Sequence, residues 1–191
     1  LKGARQDLGG NDARERSAAF PFELPYRLVS MFSVKGDTVL DPFLGTGTTM
    51  AAAMAAGRSS IGIERETDFL PIVRRRLDGI VPFSNERIHD RLAAHEVFVR
   101  AYNEKKGGFK HRNRHYGFPV VTNQEKSLLI NSPASVTTAS NTSFEVSYDT
   151  SPQEAFCKDW QGYFGPNSGK KPASKIRKAD RDNKPVQQSI L

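Results

Sequence analysis

The sequence predicts an α/β fold built on one strand–loop–helix–strand unit, and three observations predict it. A short apolar run ends at Asp41-Pro42, and proline cannot extend a sheet ladder. A glycine loop follows and leads into a helix-forming stretch rich in alanine and methionine, residues 50–56. After a further glycine, a second apolar run ends at Glu64. This order is that of a βαβ unit with a glycine loop at the start of its helix.

The glycine loop is expected to turn tightly and to bring the backbone close to a ligand. Gly45 and Gly47 lack a Cβ, which removes the usual steric limit on both the turn and the approach. Thr46, Thr48 or Thr49 is expected to cap the following helix. Such a loop presents free backbone N–H groups and the positive end of a helix dipole beside an acid. These features predict a nucleotide site.

The residues that the loop lacks distinguish between kinds of nucleotide. A phosphate-binding P-loop ends in Gly-Lys-Ser/Thr, and no lysine occurs between Asp37 and Glu64. A dinucleotide fingerprint needs a small residue where Met50 stands, and Asp41 would repel a pyrophosphate. S-adenosylmethionine is a sulfonium cation that carries an ammonium and a carboxylate, and it fits both observations. The loop therefore favours this cofactor.

Each polar group of S-adenosylmethionine has a predicted partner in the unit. Asp41 attracts the ammonium, and the loop N–H groups hold the carboxylate. Glu64, nineteen residues after Gly45, is placed to accept from both ribose hydroxyls. An ordinary βαβ turn with structural glycines is the alternative. The Asp-Pro-Phe triplet and Glu64 together argue against it, because a motif gains specificity from its structural context.

Two motifs in this order resemble the DNA amino-methyltransferases. Residues 41–49 (DPFLGTGTT) and 57–64 (GRSSIGIE) are similar to the S-adenosylmethionine motif of that family, and residues 20–28 (FPFELPYRL) resemble its helix-entry motif. The order of the motifs is that of the β-class permutation, in which the catalytic half comes first. The resemblance covers residues 17–77. It implies a Rossmann-like methyltransferase fold that transfers methyl to the exocyclic amino group of adenine or cytosine in DNA, as in restriction-modification.

The resemblance assigns the cofactor site to the two motifs. Phe20 and Pro21, at the start of the entry motif, are expected to wall the cofactor. The predicted cofactor-binding residues are Phe20, Pro21, Asp41, Pro42, Phe43, Gly45, Thr46, Gly47, Thr48, Thr49 and Glu64.

The catalytic loop of the family is absent from the sequence. That loop reads Asp/Asn/Ser-Pro-Pro-aromatic, accepts from the target amino group and stacks on the flipped base. The chain contains no Pro-Pro dipeptide, so we predict no catalytic residue in it and expect a partial fold. The catalytic half would belong to the same longer chain or to a second subunit. A non-enzymatic S-adenosylmethionine-binding regulatory protein and a methyltransferase acting on RNA or protein remain alternatives.

Apolar residues at helical spacing predict three further helices, over residues 26–33, 67–77 and 85–102. Ser84 is expected to cap the last of them. The run of three arginines at 74–76 is expected to be a solvated helix face. The histidines of this region lack metal-ligand spacing, so no metal site is predicted.

The organisation along the chain is expected to comprise four regions. They are residues 1–16, a linker or the end of a target-recognition segment; 17–104, the S-adenosylmethionine-binding methyltransferase region; 105–131, a basic loop with possible extra strands; and 132–191, a linker and a basic low-complexity tail. The possible strands are 118–121 and 127–130. Within the last region, 132–143 is linker-like in composition and 170–188 is expected to be disordered.

Composition supports a nucleic-acid partner. The net charge is +7 and the isoelectric point about 9.6, which favours salt-sensitive binding to DNA. A flexible solvated loop is the alternative for the basic segment 105–115. The candidate phosphate contacts in it are Lys105, Lys106, Lys110, Arg112 and Arg114. The single Cys157 argues against a disulfide framework and for a reducing cytoplasm. No apolar run approaches the ~20 residues of a membrane span, and we expect no signal peptide.

Overall fold

A computed structural model describes residues 20–164 and the backbone of residues 186–190. Over these residues the chain divides into two units. The first contains the described parts of 1–85, 131–149 and 184–191, and the second contains those of 86–130 and 150–183. The linker expected over 1–16 and residues 170–185 of the tail expected to be disordered lie outside the described residues. The strand Val186–Ile190 includes residues 186–188 of that tail, so the expectation of disorder is wrong there.

The described helices and strands alternate in the first part of the chain, and short strands and turns follow a long helix. In chain order they are α1 (Glu23–Phe32), β1 (Thr38–Asp41), α2 (Thr48–Ala55), β2 (Ser59–Gly62), a 3₁₀ turn (Thr67–Phe69), α3 (Leu70–Asp78), α4 (Ile80–Lys106), β3 (His111–Arg112), β4 (Pro119–Val120), a 3₁₀ turn (Gln124–Ser127), β5 (Ser132–Ser140), β6 (Ser143–Asp149), 3₁₀ turns at Glu154–Phe156 and Gln161–Tyr163, and β7 (Val186–Ile190).

The first unit contains a five-stranded mixed sheet in the order β1-β2-β7-β6-β5. β1 and β2 are parallel, with Asp41 opposite Gly62 at their carboxyl ends, and β7 continues the parallel pairing from β2. β6 runs antiparallel to both β7 and β5. Within the described residues β1 pairs with β2 alone and forms an edge of the sheet. The expected α/β class and the parallel β1–α2–β2 unit are confirmed.

The core of the first unit lies between the sheet and the helices α2 and α3. Both methionines of α2 are fully buried, and its alanines bring the helix backbone close to its neighbours. Val73 and Leu77 of α3 and Phe144 and Val146 of β6 complete the buried cluster. Burying a side chain of this size is worth about 1.5–3 kcal/mol. The packing that fixes the glycine loop therefore includes residues about one hundred positions apart.

The predicted helix caps are wrong at both places where they were expected. α2 begins after Gly47, whose φ is 75°, and no side chain caps this helix. The hydroxyls of Thr46 and Thr48 lie 3.3 Å from each other instead. α4 begins at Ile80, so Ser84 lies inside the helix and is buried there. In both cases a backbone turn starts the helix and leaves the nearby hydroxyls inside the packed structure.

The expected linker over residues 132–143 is also wrong, because β5 forms there and a two-residue turn leads into β6. The two strands pair from Ser132 opposite Asp149 to Ser140 opposite Ser143. Most side chains of β5 are exposed, which explains its polar, linker-like composition. The strand is an edge strand held by backbone pairing, and composition does not report such pairing.

The second unit packs the helical residues from Glu86 onward against the β3–β4 hairpin. Its core includes Ile88, Leu92 and Val99, the apolar positions that predicted a helix there. The strand expected at 118–121 is present as β4, paired antiparallel with β3. The strand expected at 127–130 is absent: a 3₁₀ turn occupies its start, and two of its apolar side chains pack on the core.

Among the described residues, no helix is both long enough and apolar enough to cross a membrane.

Candidate cofactor site

The candidate site lies where the two parallel strands of the βαβ unit end. Asp41 is the last residue of β1, and Glu64 follows β2 by two residues. Ile63 extends the pairing past the end of β2, since its N–H donates to the Asp41 carbonyl at 2.9 Å. The carboxyl ends of parallel strands share one edge of a sheet, which is where ligands bind in open α/β sheets. The structure therefore brings both predicted acids to that edge.

The carboxylate of Glu64 is held by two backbone N–H groups. Gly45 donates to Oε2 at 2.7 Å, and Glu66 donates to Oε1 at 2.8 Å. An ionised carboxylate offers about four lone-pair positions, so each oxygen retains capacity for one more donor. Glu64 is thus oriented by the glycine loop and can still accept two hydroxyl groups.

The carboxylate of Asp41 is positioned by the turn that follows it. Its Oδ1 accepts from the Phe43 N–H at 3.0 Å, across Pro42, in the manner of an Asx turn. Asp41 is half-buried, whereas Pro42 and Phe43 are exposed. The arrangement keeps one carboxylate at the mouth of the loop.

The glycine loop takes a backbone path that favours glycine. Gly45 has φ 52° and Gly47 has φ 75°, and the left-handed region costs other residues roughly 1–2 kcal/mol. At Gly47 a Cβ would also lie 3.0 Å from Cγ1 of Val73 in α3. At Gly62 a Cβ would lie 2.6 Å from the side chain of Leu44, which is buried. Glycine is therefore needed for both the turn and the close packing around it.

Several N–H groups of the loop already donate within the protein, which differs from the expectation of free N–H groups. Leu44 donates to the Ile63 carbonyl at 2.9 Å, and Gly47 donates to the Leu44 carbonyl at 2.9 Å. The N–H groups of Phe43 and Gly45 donate to the two carboxylates. The tight loop places these N–H groups next to nearby carbonyl and carboxylate acceptors, and the resulting hydrogen bonds order the loop.

Arg76 supports the loop from α3 and was not expected to do so. It donates to the hydroxyl of Thr48, the first residue of α2, and burial lowers the pKa of its guanidinium. Arg74 donates to the carbonyl of Asn141 at 2.5 Å. The prediction that the arginine run is a solvated face is therefore wrong for these two residues. The signal in the sequence was spacing, because Arg76 lies one helical turn after Val73, which packs on Gly47.

The apolar residues predicted to wall the cofactor are accessible. Phe43 is 89% exposed and Phe20 is 38% exposed, while Pro21 is half-buried. Among the loop threonines, Thr46 and Thr48 are buried and Thr49 is half-buried. The contacts of these side chains with a cofactor stay predictions.

The predicted phosphate contacts lie in the second unit, and all five are exposed: Lys105, Lys106, Lys110, Arg112 and Arg114. The guanidinium carbon of Arg112 lies 4.4 Å from the centre of the Phe164 ring, a cation–π contact. Exposure leaves these cations accessible to an anion, and the stacking restricts where Arg112 points.

Asn113 orders this basic segment and was missed in the sequence. It is buried, and its amide donates to the carbonyls of Glu125 and Leu128, both at 2.8 Å. Its Oδ1 accepts from the N–H groups of His115 and Tyr116. Asparagine side chains often form hydrogen bonds to the nearby backbone in place of backbone–backbone bonds. An asparagine at this position was therefore the signal in the sequence for an ordered turn. The segment is therefore held by specific bonds, unlike the flexible loop considered as its alternative.

No cluster of three or more histidine, cysteine or acidic side chains able to hold a metal occurs in the described part of the chain. His95 packs its ring against Phe118, and its Nε2 lies 2.9 Å from the Pro119 carbonyl.

Comparison with known proteins gives one family match that includes this site and several matches to curated relatives. Residues 4–75 match the DNA methylase family. The chain is 43% identical over 148 residues to the Type II methyltransferase M.MthZI of Methanothermobacter thermautotrophicus, which covers 78% of this chain and 40% of that relative. It is 55% identical over 62 residues to the Type II methyltransferase M.MjaI of Methanocaldococcus jannaschii, covering 32% of this chain and 20% of the relative.

A third match has the same character. The Type II methyltransferase M.HinfI of Haemophilus influenzae is 44% identical over 73 residues, which are 38% of this chain and 20% of the relative. The chain thus spans less than half of the length of these curated relatives. No solved structure matches the chain significantly.

Proposed function

The chain is related to the DNA amino-methyltransferases, as its motifs predict, and on that premise we propose that it forms the S-adenosylmethionine-binding part of such an enzyme. The complete enzyme transfers methyl to the exocyclic amino group of adenine or cytosine in DNA. The relatives are named Type II methyltransferases, which supports a place in restriction-modification. A cytoplasmic location stays a prediction.

The hydrogen bond between Gly45 and Glu64 is the observation that carries the proposal. It joins the glycine loop to the acid that follows the second strand, at 2.7 Å and across nineteen residues. A structural βαβ turn has no need of this bond, whereas a nucleotide site needs both parts at one edge of the sheet.

The residues of the site fit S-adenosylmethionine. The carboxylate of Asp41, held by the Phe43 N–H, would attract the positive ammonium. The carboxylate of Glu64, held by the Gly45 N–H, would accept from the two ribose hydroxyls with its remaining lone pairs. The start of α2, with Thr46, Thr48 and Thr49 near it, lies at the positive end of the helix dipole, which suits the carboxylate. Phe20, Pro21, Pro42 and Phe43 provide apolar surface for the adenine and the methionine chain. When bound, the cofactor supplies an electrophilic methyl group.

The fold proposed for the complete enzyme is Rossmann-like, with the catalytic half outside this chain. Two observations support it: β1 forms an edge of the described sheet, and the chain lacks a Pro-Pro catalytic loop. The role of this chain would be to hold the cofactor with its methyl group close to the target nitrogen and in line with it, because methyl transfer depends on proximity more than on acid–base groups. This chain holds one reactant, and the partner half positions the other.

The cofactor site is tested by calorimetric titration of S-adenosylmethionine into the chain assembled with a catalytic half. Asp41→Ala and Glu64→Ala should each weaken binding by about 1–3 kcal/mol, the usual effect of removing one partner of a buried polar contact. Asp68→Ala, which removes an exposed acid of the 3₁₀ turn after β2, should leave the affinity unchanged. Equal affinities in all three variants would remove the assignment.

DNA is the proposed macromolecular partner, and the basic segment 105–115 is the proposed phosphate-binding segment. Its cations are exposed and Asn113 fixes its backbone. Replacing Lys110, Arg112 and Arg114 together by glutamine should flatten the plot of log affinity against log salt by roughly one unit for each phosphate that is no longer neutralised. Glutamine at Arg87 and Arg91 is the control, because these residues lie on α4 outside the segment. A slope that is equally affected by both sets would contradict the assignment.

A further inference from the structure

Helix α4 carries an apolar row on the side that faces away from the core of the second unit. The row consists of four exposed side chains at i, i+3, i+4 and i+7: Ala94, Val97, Phe98 and Ala101. Val97 is 65% exposed and Phe98 is 45% exposed. Successive helical residues are about 100° apart, so the row lies roughly opposite Leu92, which is buried in that core. Single exposed apolar residues are common, but a row along one helix face indicates a surface that packs against another element.

Phe98 is held in position within the row by neighbouring rings. Its ring centroid lies 5.6 Å from that of Tyr102 and 5.9 Å from that of His95. Ring pairs at such distances are favourable, and these two restrict the rotamers that Phe98 can adopt. Because the ring is already ordered, a partner that packs on it loses little conformational entropy.

Charged side chains border the row, with acids on one side and bases on the other. These exposed residues are the acids Asp90 and Glu104 and the bases Arg91 and Lys105. At about 100° per residue, the two acids lie on the side of Val97 and the two bases lie on the side of Phe98. The sign of the charge therefore changes from one border of the row to the other.

A second copy of the helix fits this surface when the two helices run parallel. A two-fold axis along the helix direction places the acidic border of each copy against the basic border of the other. Asp90 then faces Arg91 of the second copy, and Glu104 faces Lys105 of the second copy. An antiparallel pair would instead bring acid against acid and base against base, which is unfavourable.

We propose that the face of α4 from Asp90 to Lys105 is a self-association surface that joins two copies of this chain in parallel. Val97 of each copy packs beside Phe98 of the other, and the alanines of the row, close to the axis, let the helix backbones approach. The charged borders set the orientation, as charges beside an apolar seam do in coiled coils. The apolar contact extends over about two helical turns, so the interface is small and the dimer dissociates on dilution.

Sedimentation velocity of the full 191-residue chain over a range of concentrations measures this dimer. Val97→Lys should raise its dissociation constant by at least about tenfold, as at the centre of an interface, and the control Thr137→Lys should change it by less than about twofold. Both positions are exposed and both variants gain the same charge, so the thermal unfolding of each should match that of the unmodified chain. A chain that stays monomeric at every concentration, or equal effects of the two substitutions, would overturn the proposal.

Exchanging the charges of one border tests the pairing of acids with bases. The variant Asp90→Lys/Glu104→Lys has two basic borders, and the variant Arg91→Glu/Lys105→Glu has two acidic borders. Each variant alone should dimerise at least about tenfold more weakly than the unmodified chain, whereas their equimolar mixture should associate within about threefold of it. If the mixture associates no better than either variant alone, the charged borders do not meet and the proposal fails.

Disulfide trapping distinguishes the parallel orientation from the antiparallel one. In a Cys157→Ser background, which removes the exposed native thiol, Ala94→Cys should cross-link to its own counterpart under mild oxidation. A residue close to the axis of a parallel pair has its Cα within the ~7 Å that a disulfide can bridge. Cross-linking of Ala94→Cys only to Ala101→Cys in a mixture would show an antiparallel pair and would refute the proposed one. Lys105 is also a candidate phosphate contact, and these measurements contain no DNA, so the two roles are tested separately.

Discussion

Gly47 combines two requirements that act through different physics. Its φ of 75° is unfavourable for residues with a Cβ, and a Cβ at this position would lie 3.0 Å from Cγ1 of Val73 in α3. Gly36 shares the first requirement, with φ 89°, but a Cβ there would meet no atom within 4 Å. Comparing substitutions at Gly36 and Gly47 therefore distinguishes the cost of the backbone conformation from the cost of steric overlap.

We predict that Gly36→Ala lowers the free energy of unfolding by roughly 1–2 kcal/mol, the cost of the left-handed conformation. Gly47→Ala should cost roughly 1–3 kcal/mol more, because it adds overpacking against Val73. Urea unfolding measures both. In the double variant Gly47→Ala/Val73→Ala the costs should be less than additive, since the overlap is gone. Equal costs at Gly36 and Gly47, or strict additivity, would show that the loop does not press on α3.

At the scale of elements, residues 132–149 have an ordinary polar composition but form the hairpin of β5 and β6. Two side chains of β6 belong to the core of the first unit. Phe144 and Val146 alternate inward along β6 and are almost completely buried. The hydroxyl of Tyr148 donates to the carbonyl of Met54 near the end of α2, at 2.5 Å. Burial of this hydroxyl raises the pKa of Tyr148 well above its usual value. The hairpin thus packs on the helix that follows the glycine loop.

We predict that Phe144→Ala lowers the free energy of unfolding by about 3–5 kcal/mol, as for other buried aromatic truncations. Thr137→Ala, an exposed position of β5, should cost less than about 1 kcal/mol. Denaturant unfolding followed by circular dichroism measures both. If residues 132–149 were a linker, the two substitutions would have equally small effects.

At the scale of the whole molecule, the chain contains the residues of the proposed cofactor site, and its sequence contains no Pro-Pro motif of the kind that holds the target base in the family it resembles. Asp41 and Glu64 lie at the same edge of the sheet, where β1 and β2 end, whereas no Pro-Pro loop occurs in the sequence. In each of these relatives, more than half of the length lies outside the segment that this chain matches. Activity is therefore proposed to belong to an assembly of which this chain is one part.

We predict that the purified chain alone transfers no labelled methyl from S-adenosylmethionine to DNA, because its sequence contains no Pro-Pro loop of the kind that holds the target amino group in the family it resembles. Addition of a separate polypeptide that carries the Pro-Pro catalytic loop of the family should restore transfer. The double variant Asp41→Ala/Glu64→Ala, purified in the same way, controls for methyltransferases of the expression host. Transfer by the chain alone that this double variant abolishes would refute the prediction, and it would place the catalytic groups within these 191 residues. Cofactor binding without transfer in any assembly would favour a regulatory protein.

The sequence by itself determined the βαβ unit and its acids, because these depend on local signals. Pro42 ends β1, Gly47 and the alanines start and build α2, and strand polarity then brings Asp41 and Glu64 to one edge. Short-range sterics and helix propensity act within a few residues, so the local sequence pattern predicts their effects. The family resemblance rested on this unit and on the entry motif at residues 20–28 that precedes it.

Only the tertiary structure decided what covers that unit and what holds its loop. The packing of the β5–β6 hairpin on α2, the bond from Arg76 to Thr48 and the bonds from Asn113 to Glu125 and Leu128 each join residues that their local patterns do not connect. The exposed apolar row of α4 is equally invisible in sequence, because an apolar helix face looks the same whether or not anything packs on it. These features depend on contacts between distant segments, which propensity and periodicity do not encode.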